Sequence, residues 1–169
     1  MPQPARRIIR YQGAIVRDDH ILLILFTEPD GGRSYWLIPG GGIEADETEA
    51  ACVQREMREE TCLEVQVLRL LLDEPAPAGH AYQRRKTYLC QAVGGVASPG
   101  YEPELDIAEG YGITAVGWFD LRDAASWNDK LVADPITYPL LRQIQAALGY
   151  PHGSEGSCCG DDRACHPTP

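Results

Sequence analysis

The chain predicts an α/β fold in which a β-sheet is covered by helices, and three observations lead there. Apolar runs with the alternating or continuous pattern of strands recur between residues 8 and 121. Two segments, 46–61 and 134–148, carry instead the three-to-four-residue spacing of amphipathic helices. Finally, 169 residues with 44% hydrophobic and 24% charged side chains are enough for one domain with a core of its own.

In chain order, residues 8–16 read as a strand broken at Gly13, and residues 21–26 as its partner across an Asp18-Asp19-His20 hairpin turn. The run Ile21-Leu22-Leu23-Ile24-Leu25 has no polar alternation, which predicts a strand covered on both faces. Glu28-Pro29-Asp30-Gly31-Gly32 is a loop by composition, and residues 35–39 then form a short strand leading into Gly40-Gly41-Gly42. The helix that follows begins at Asp46 or Thr48, both good N-caps, and Asp46 with Glu49 has capping-box spacing. Ala50, Ala51, Val53 and Met57 give it an apolar stripe to lay on a sheet.

Residues 63–72 and 87–93 read as further strands, joined through Pro75, Pro77 and Gly79. Residues 94–112 form a loop rich in glycine, proline and acid, long enough to be functional or mobile. Residues 116–121 make a late strand whose adjacent Trp118 and Phe119 must face opposite sides. Pro135 opens a last helix with the stripe Ile136, Leu140, Leu141, Ile144 and Leu148, and Gly149 stops it, covering the second face of the sheet. The domain therefore spans residues 1–150. The polar tail 151–169 has no periodicity and is expected to be disordered.

Charge and composition exclude several roles. A net charge of −10 leaves no basic surplus for broad binding of nucleic acid or an anionic membrane. No apolar run approaches the roughly 20 residues of a membrane span. The early apolar run is short and interrupted by Arg10, so a secretory signal is not expected and a cytoplasmic location is. The six cysteines do not read as a disulfide framework: Cys52, Cys62 and Cys90 stand singly in periodic segments. Cys158, Cys159, Cys165 and the nearby His152 and His166 fit no common zinc spacing.

The chemistry concentrates at the end of the first helix. Glu56 shares a helix face with Glu59 and Glu60, near the C-terminus where the helix dipole favours cations instead. Each conflict costs a few tenths of a kcal/mol when exposed. Crowding three such charges into one turn is expected where a hard divalent cation is bound by carboxylate oxygens. The competing reading is a solvated face with ordinary ion pairs from Arg55 or Arg58.

The wider pattern decides between them. Gly41, Glu47, Arg55-Glu56-Met57, Glu59-Glu60 and Leu63 stand at spacings that resemble the signature of the Nudix hydrolases. The resemblance implies a Nudix-type α/β/α sandwich with a mixed β-sheet, and hydrolysis of a diphosphate linked to another group X with Mg2+ or Mn2+. It implies that Glu56, Glu59, Glu60 and the carbonyl of Gly40 are metal ligands, with Glu47 and Arg55 a supporting ion pair. It also implies that an acidic residue of the long loop, Glu104 or Glu109, completes the metal site or acts as base. Cys62 stands where the family normally has glycine, and a side chain in the left-handed conformation there costs roughly 1 kcal/mol or more.

The expected reaction is attack of water on the diphosphate linkage of a nucleoside di- or triphosphate derivative. The cation would withdraw charge from the phosphate oxygens and acidify a bound water. ADP-ribose or nucleotide-sugar and dinucleoside-polyphosphate hydrolysis are the alternatives within the family, and a non-catalytic nucleotide-binding regulator is the alternative outside enzymes. For the substrate, Arg84 and Arg85 in the basic run ending at Lys86 read either as a phosphate clamp or as a solubilised strand edge. Tyr82 and Trp36, with Tyr35 and Trp127, are candidate stacking partners for a base, core packing being the fate of at least two. Oligomeric state stays open, a homodimer included.

Overall fold

The computed structural model describes residues 8–28, 32–100 and 112–151. Its elements are β1 (Ile9–Arg17), β2 (His20–Thr27), β3 (Ser34–Leu37), β4 (Gly40–Gly41), α1 (Glu49–Thr61), β5 (Leu63–Pro75), β6 (Arg84–Gly95), β7 (Gly112–Asp120), α2 (Asp129–Val132) and α3 (Thr137–Leu148). A 3-10 turn at Ala124–Ser126 precedes α2. The strands form one mixed sheet in the order β3-β2-β1-β6-β5, with β4 paired to β1 and β7 to β2. β1 and β6 run parallel, and the other pairs are antiparallel.

The β1–β2 turn follows from the two aspartates. Asp18 and Asp19 adopt φ of 50° and 61°, the left-handed pair of a tight hairpin, which aspartate tolerates better than most residues. Gly13 does not break β1, contrary to the expectation. It sits inside a continuous strand because α1 crosses it closely: a Cβ there would lie 2.5 Å from Met57 Sδ.

The sheet is apolar on both faces. Under α1 lie Tyr11, Ile15, Leu22, Val65 and Cys90 with Cys52, Val53 and Met57 of the helix. On the other face Ala14, Ile21, Leu23 and Ile38 pack with Trp127, Leu131, Leu140, Leu141 and Ile144. Adjacent β2 residues thus enter different cores, the burial on both faces that the unbroken apolar run predicts. Trp118 and Phe119 likewise go to opposite sides.

The helix ends settle some local expectations and revise others. The N-cap of α1 is Thr48, whose Oγ1 accepts from Ala51 N–H at 3.1 Å, and Asp46 sits in the preceding turn with φ 63°. Ala50 is exposed, and Cys52 takes its place in the buried stripe. α3 starts at Thr137, after Pro135, and Asp134 Oδ1 accepts from Ile136 N–H at 2.9 Å and Thr137 N–H at 2.6 Å ahead of it. Gly149 ends that helix at φ 79°. Among the described residues no helix is long and apolar enough to cross a membrane.

Candidate active site

Helix α1 presents its glutamates to the glycine turn. β4 is only Gly40–Gly41, held beside β1 by Tyr11↔Gly41 and Gln12↔Gly40 pairing. Gly40 has φ 154°, and a Cβ there would meet Tyr11 O at 2.2 Å. A Cβ on Gly41 would lie 2.3 Å from Glu56 Oε1. Glycine is therefore required twice, at Gly40 so that the turn can lie against the β1 backbone and at Gly41 so that it can pass directly against the Glu56 carboxylate. Glu60 Oε2 accepts the Gly40 N–H at 2.7 Å, tying the far end of the helix to the same turn.

Glu56 and Glu60 are buried, at 6% and 3% exposure, so they do not belong to a solvated helix face. Glu59 is partly exposed. Arg55 sits among the acids. Its Nε donates to Glu47 Oε1 at 2.9 Å and its Nη2 to Glu47 Oε2 at 3.1 Å, while Nη1 reaches Glu56 Oε1 at 2.9 Å and Glu59 Oε2 at 3.1 Å. Nη2 also donates to Gly42 O at 2.9 Å. A planar guanidinium with five donors suits that work, and a lysine could not do it. The Arg55 hydrogen bonds are the main reason the Glu47 carboxyl lies below its ordinary pKa, burial opposing them. Cys52, beneath this cluster, is pushed up to about 12 by burial and then by Glu47 and Glu56, which makes it an inert thiol.

Among the described residues no three acidic, histidine or cysteine side chains are already gathered into a metal cage. Glu56 and Glu59 turn toward Arg55, and Glu60 toward the glycine turn. The donor chemistry nevertheless fits a hard divalent ion: several carboxylate oxygens at one helix end already surround a positive charge, that of Arg55.

Cys62, the departure from the signature, is the C-cap of α1 at φ 58°, ψ 21°, a left-handed residue carrying a side chain. Beyond the helix, residues 96–100 fold back over its end: Ser98 N–H donates to Thr61 O at 3.1 Å and Gly100 N–H to Glu60 O at 3.0 Å. Glu104 and Glu109 lie outside the described residues, as do the tail cysteines, His152 and His166.

Beside Glu60 opens a cavity of about 580 Å³. Ile24, Phe26, Tyr35 and Leu37 of β2 and β3 form one wall, Arg10, His80, Ala81 and Tyr82 another, and Asp134, Pro135 and Ile136 a third. Tyr82 therefore lies where a ligand would be held. The Arg10 guanidinium is 5.9 Å from the Tyr82 ring centroid. The burial of His80, with Arg10 and Arg85 nearby, disfavours its charged form and lowers its pKa.

Trp36 does not line this cavity. Strand alternation turns it to the other face of β3, where its ring meets Phe119 edge-on at 5.0 Å. Trp127 is buried in the same core and donates from Nε1 to Asp120 O. Arg84 and Arg85 do not line this cavity either, and they do not stand on a strand edge. β6 lies inside the sheet, and Arg84 bonds Asp73 at 2.5 Å and Arg85 bonds Glu74 at 2.6 Å across the β5 pairing.

Arg10, Arg33, His80 and Phe26 were not legible as site residues. The one available signal was alternation: Arg10 follows Ile9 and precedes Tyr11 in a strand, so it must face away from the α1 core.

A model of the NUDIX domain family matches residues 8–141. Over 53 residues the chain is 43% identical to a Mycobacterium tuberculosis protein provisionally named 8-oxo-dGTP diphosphatase 2, a match spanning 31% of this chain and 38% of that relative. Among solved structures, an ADP-ribose pyrophosphatase from Streptococcus suis superposes with a TM-score of 0.59 at 24% identity, covering 86% of this chain and 95% of that one. A MutT NUDIX hydrolase from Burkholderia pseudomallei superposes with a TM-score of 0.54 at 26% identity, covering 81% and 97%. The family match takes in most of the sequence, both sheet faces and the glutamate helix, and on it the chain belongs to the Nudix family as a MutT-like member.

Proposed function

We propose that this chain hydrolyses the phosphoanhydride linkage of a nucleoside di- or triphosphate derivative with the help of Mg2+ or Mn2+. The observation that carries the reading is the position of Glu60, which both binds the glycine turn and lines the aromatic cavity. A nucleotide seated in the cavity would therefore direct its phosphates toward the end of α1.

Glu56, Glu59 and Glu60 would hold the ion, with the Gly40 carbonyl as a further ligand. Bound there, the ion would supply positive charge to the diphosphate oxygens and ease the approach of a nucleophile. The protein's own groups would do the rest. Arg55 orients Glu56 and Glu59 and keeps part of their charge compensated in the resting site. Glu59, with 30% of its side chain exposed, is the carboxylate of the three best placed to take a proton from water. Phe26, Tyr35 and Tyr82 offer flat apolar surface for a base, and Arg10 a charge near the phosphates. A cavity of about 580 Å³ is within the ordinary range of roughly 300–1,000 Å³ for small-molecule sites. Helix and cavity both come from one chain, so the reading requires no second copy.

The relatives' names make ADP-ribose and 8-oxo-dGTP the first compounds to test. A screen of these with nucleotide-sugars, dinucleoside polyphosphates and ordinary nucleoside triphosphates, in Mg2+ and in Mn2+, should release a nucleoside monophosphate with phosphate, a second phosphate ester or pyrophosphate. Tight nucleotide binding with no metal-dependent product would replace the enzyme by a nucleotide-binding regulator.

A further inference from the structure

Outside the signature, three side chains of the sheet converge on one residue of α1. Tyr11 of β1 is the register partner of Lys86 of β6, and Gly13 that of Tyr88, so alternation places all three side chains on the face that α1 covers. Lys86 Nζ donates to Glu49 Oε1 at 2.6 Å, Tyr88 OH donates to Glu49 Oε2, and Tyr11 OH reaches Glu49 Oε1 at 3.5 Å. The Lys86 ammonium also stands 6.0 Å from the Tyr11 ring centroid.

Glu49 is the first residue of α1 and follows the Thr48 cap. A glutamate in a first turn is already favoured by the helix dipole and needs no such set of partners. The position explains what they do. At 3.6 residues per turn, residues 49, 56 and 60 fall on one stripe of the helix. Two residues before Glu49 stands Glu47, the far end of the Arg55 fork. The apolar contacts beneath α1, Met57 on Gly13 among them, seat the helix on the sheet but are not directional. The bonds to Glu49 are directional and come from two strands.

We propose that the Glu49–Lys86–Tyr88 latch is a positioning device that sets the rotation of α1, and with it the presentation of Glu56, Glu59 and Glu60 to a divalent cation. It rests on the metal-dependent reading above. Glu49, Lys86 and Tyr88 are positioning residues, acting through Glu47, Arg55 and the glutamates of the last turn.

The test uses the full chain and Mn2+ alone, with free Mn2+ read by electron paramagnetic resonance and with metal-free melting recorded alongside. Glu49→Gln and Lys86→Met should remain folded at the assay temperature and bind Mn2+ about 10-fold more weakly or worse, the usual cost of losing an orienting partner of a metal ligand. Lys86→Arg, which keeps a cationic donor to Glu49, should retain most of the wild-type affinity. Glu64→Gln, which breaks the exposed pair between Arg58 of α1 and Glu64 of β5, should leave Mn2+ binding unchanged. Wild-type Mn2+ affinity in the folded single variants would overturn the proposal. If the single variants melt too low to assay, Lys86→Arg and Tyr88→Phe decide: near-wild-type Mn2+ binding in the first with weaker binding in the second supports the latch, and wild-type binding in Tyr88→Phe overturns it. Wild-type protein that binds Mn2+ but turns over no nucleotide would remove the proposed function and leave this test readable. Wild-type protein that binds no Mn2+ would remove both.

Discussion

Arg55 grips Glu47 with both arms of its guanidinium fork, at 2.9 and 3.1 Å, across the turn that carries the chain into α1. The remaining arm serves Glu56 and Glu59. One side chain thus couples the entry of the helix to the acids of its last turns. Arg55→Lys keeps a positive charge but cannot make both sets of bonds. It should lose about 1.5–3 kcal/mol by chemical denaturation, the range for hydrogen bonds to charged groups, and turnover should fall at least 10-fold, since the glutamates lose their orienting partner. Unchanged stability and activity in that variant would contradict the role given to the fork.

The same pair has a pH signature. Arg55 holds the Glu47 carboxyl below its ordinary pKa in the folded chain. The stabilisation is therefore fully present above the unfolded value of about 4.3 and is lost as pH falls through the lower folded value. The stability gap between wild type and Glu47→Gln, measured by urea denaturation, should be steady from pH 7 to about pH 5 and narrow below pH 4. A gap that widens under acid would mean the sign is wrong.

Gly41→Ala tests the contact between turn and helix. Its Cβ would fall 2.3 Å from Glu56 Oε1, so either the carboxylate or the turn must move. Overpacking of this sort costs about 1–3 kcal/mol. The loss of turnover should exceed what the stability change explains, because the displaced group is a proposed metal ligand. Steady-state kinetics at a temperature where the variant is fully folded would check it.

Cys62→Gly should do the opposite. The helix exit needs a left-handed residue, and glycine adopts that conformation without the penalty of a Cβ. We expect a gain of about 1 kcal/mol, or a melting temperature about 2–4 °C higher for a chain of this size, with turnover unchanged. A lower melting temperature would mean that the Cys62 side chain contributes more than its backbone strain costs.

Substitutions in the cavity should separate binding from chemistry. Tyr82→Ala and Arg10→Met remove cavity walls without touching α1. Each should raise KM several-fold or more while changing kcat little, the pattern of lost uniform binding. Trp36→Phe should leave KM unchanged, since that ring faces Phe119 and the core.

How much of this was legible in the sequence depends on the range of the interactions. The β1–β2 hairpin is written in two adjacent aspartates, and α1 in its own stripe and cap, so both are readable locally. The glutamate turn was readable because helical spacing alone puts positions 56, 59 and 60 together. The partners of the basic run were not readable, because Arg84 and Arg85 find Asp73 and Glu74 only through antiparallel pairing of β5 and β6, whose register shifts three times on the way. Lys86 finds Glu49 from 37 residues away. Trp36 and Tyr35 look alike as aromatic candidates until pairing with β2 assigns one to the core and the other to the cavity. The cavity itself joins five separate stretches, around residues 10, 24–37, 60, 80–82 and 134–136, and no local pattern in the chain announces that.

The most direct measurement is turnover by Glu59→Gln and Glu60→Gln on the best substrate of the screen, in saturating Mg2+ and with folding verified. The account predicts losses of at least 100-fold in both variants, of the order seen when a group stabilising the transition state is removed. Wild-type turnover in both would show that this helix is not where the reaction takes place.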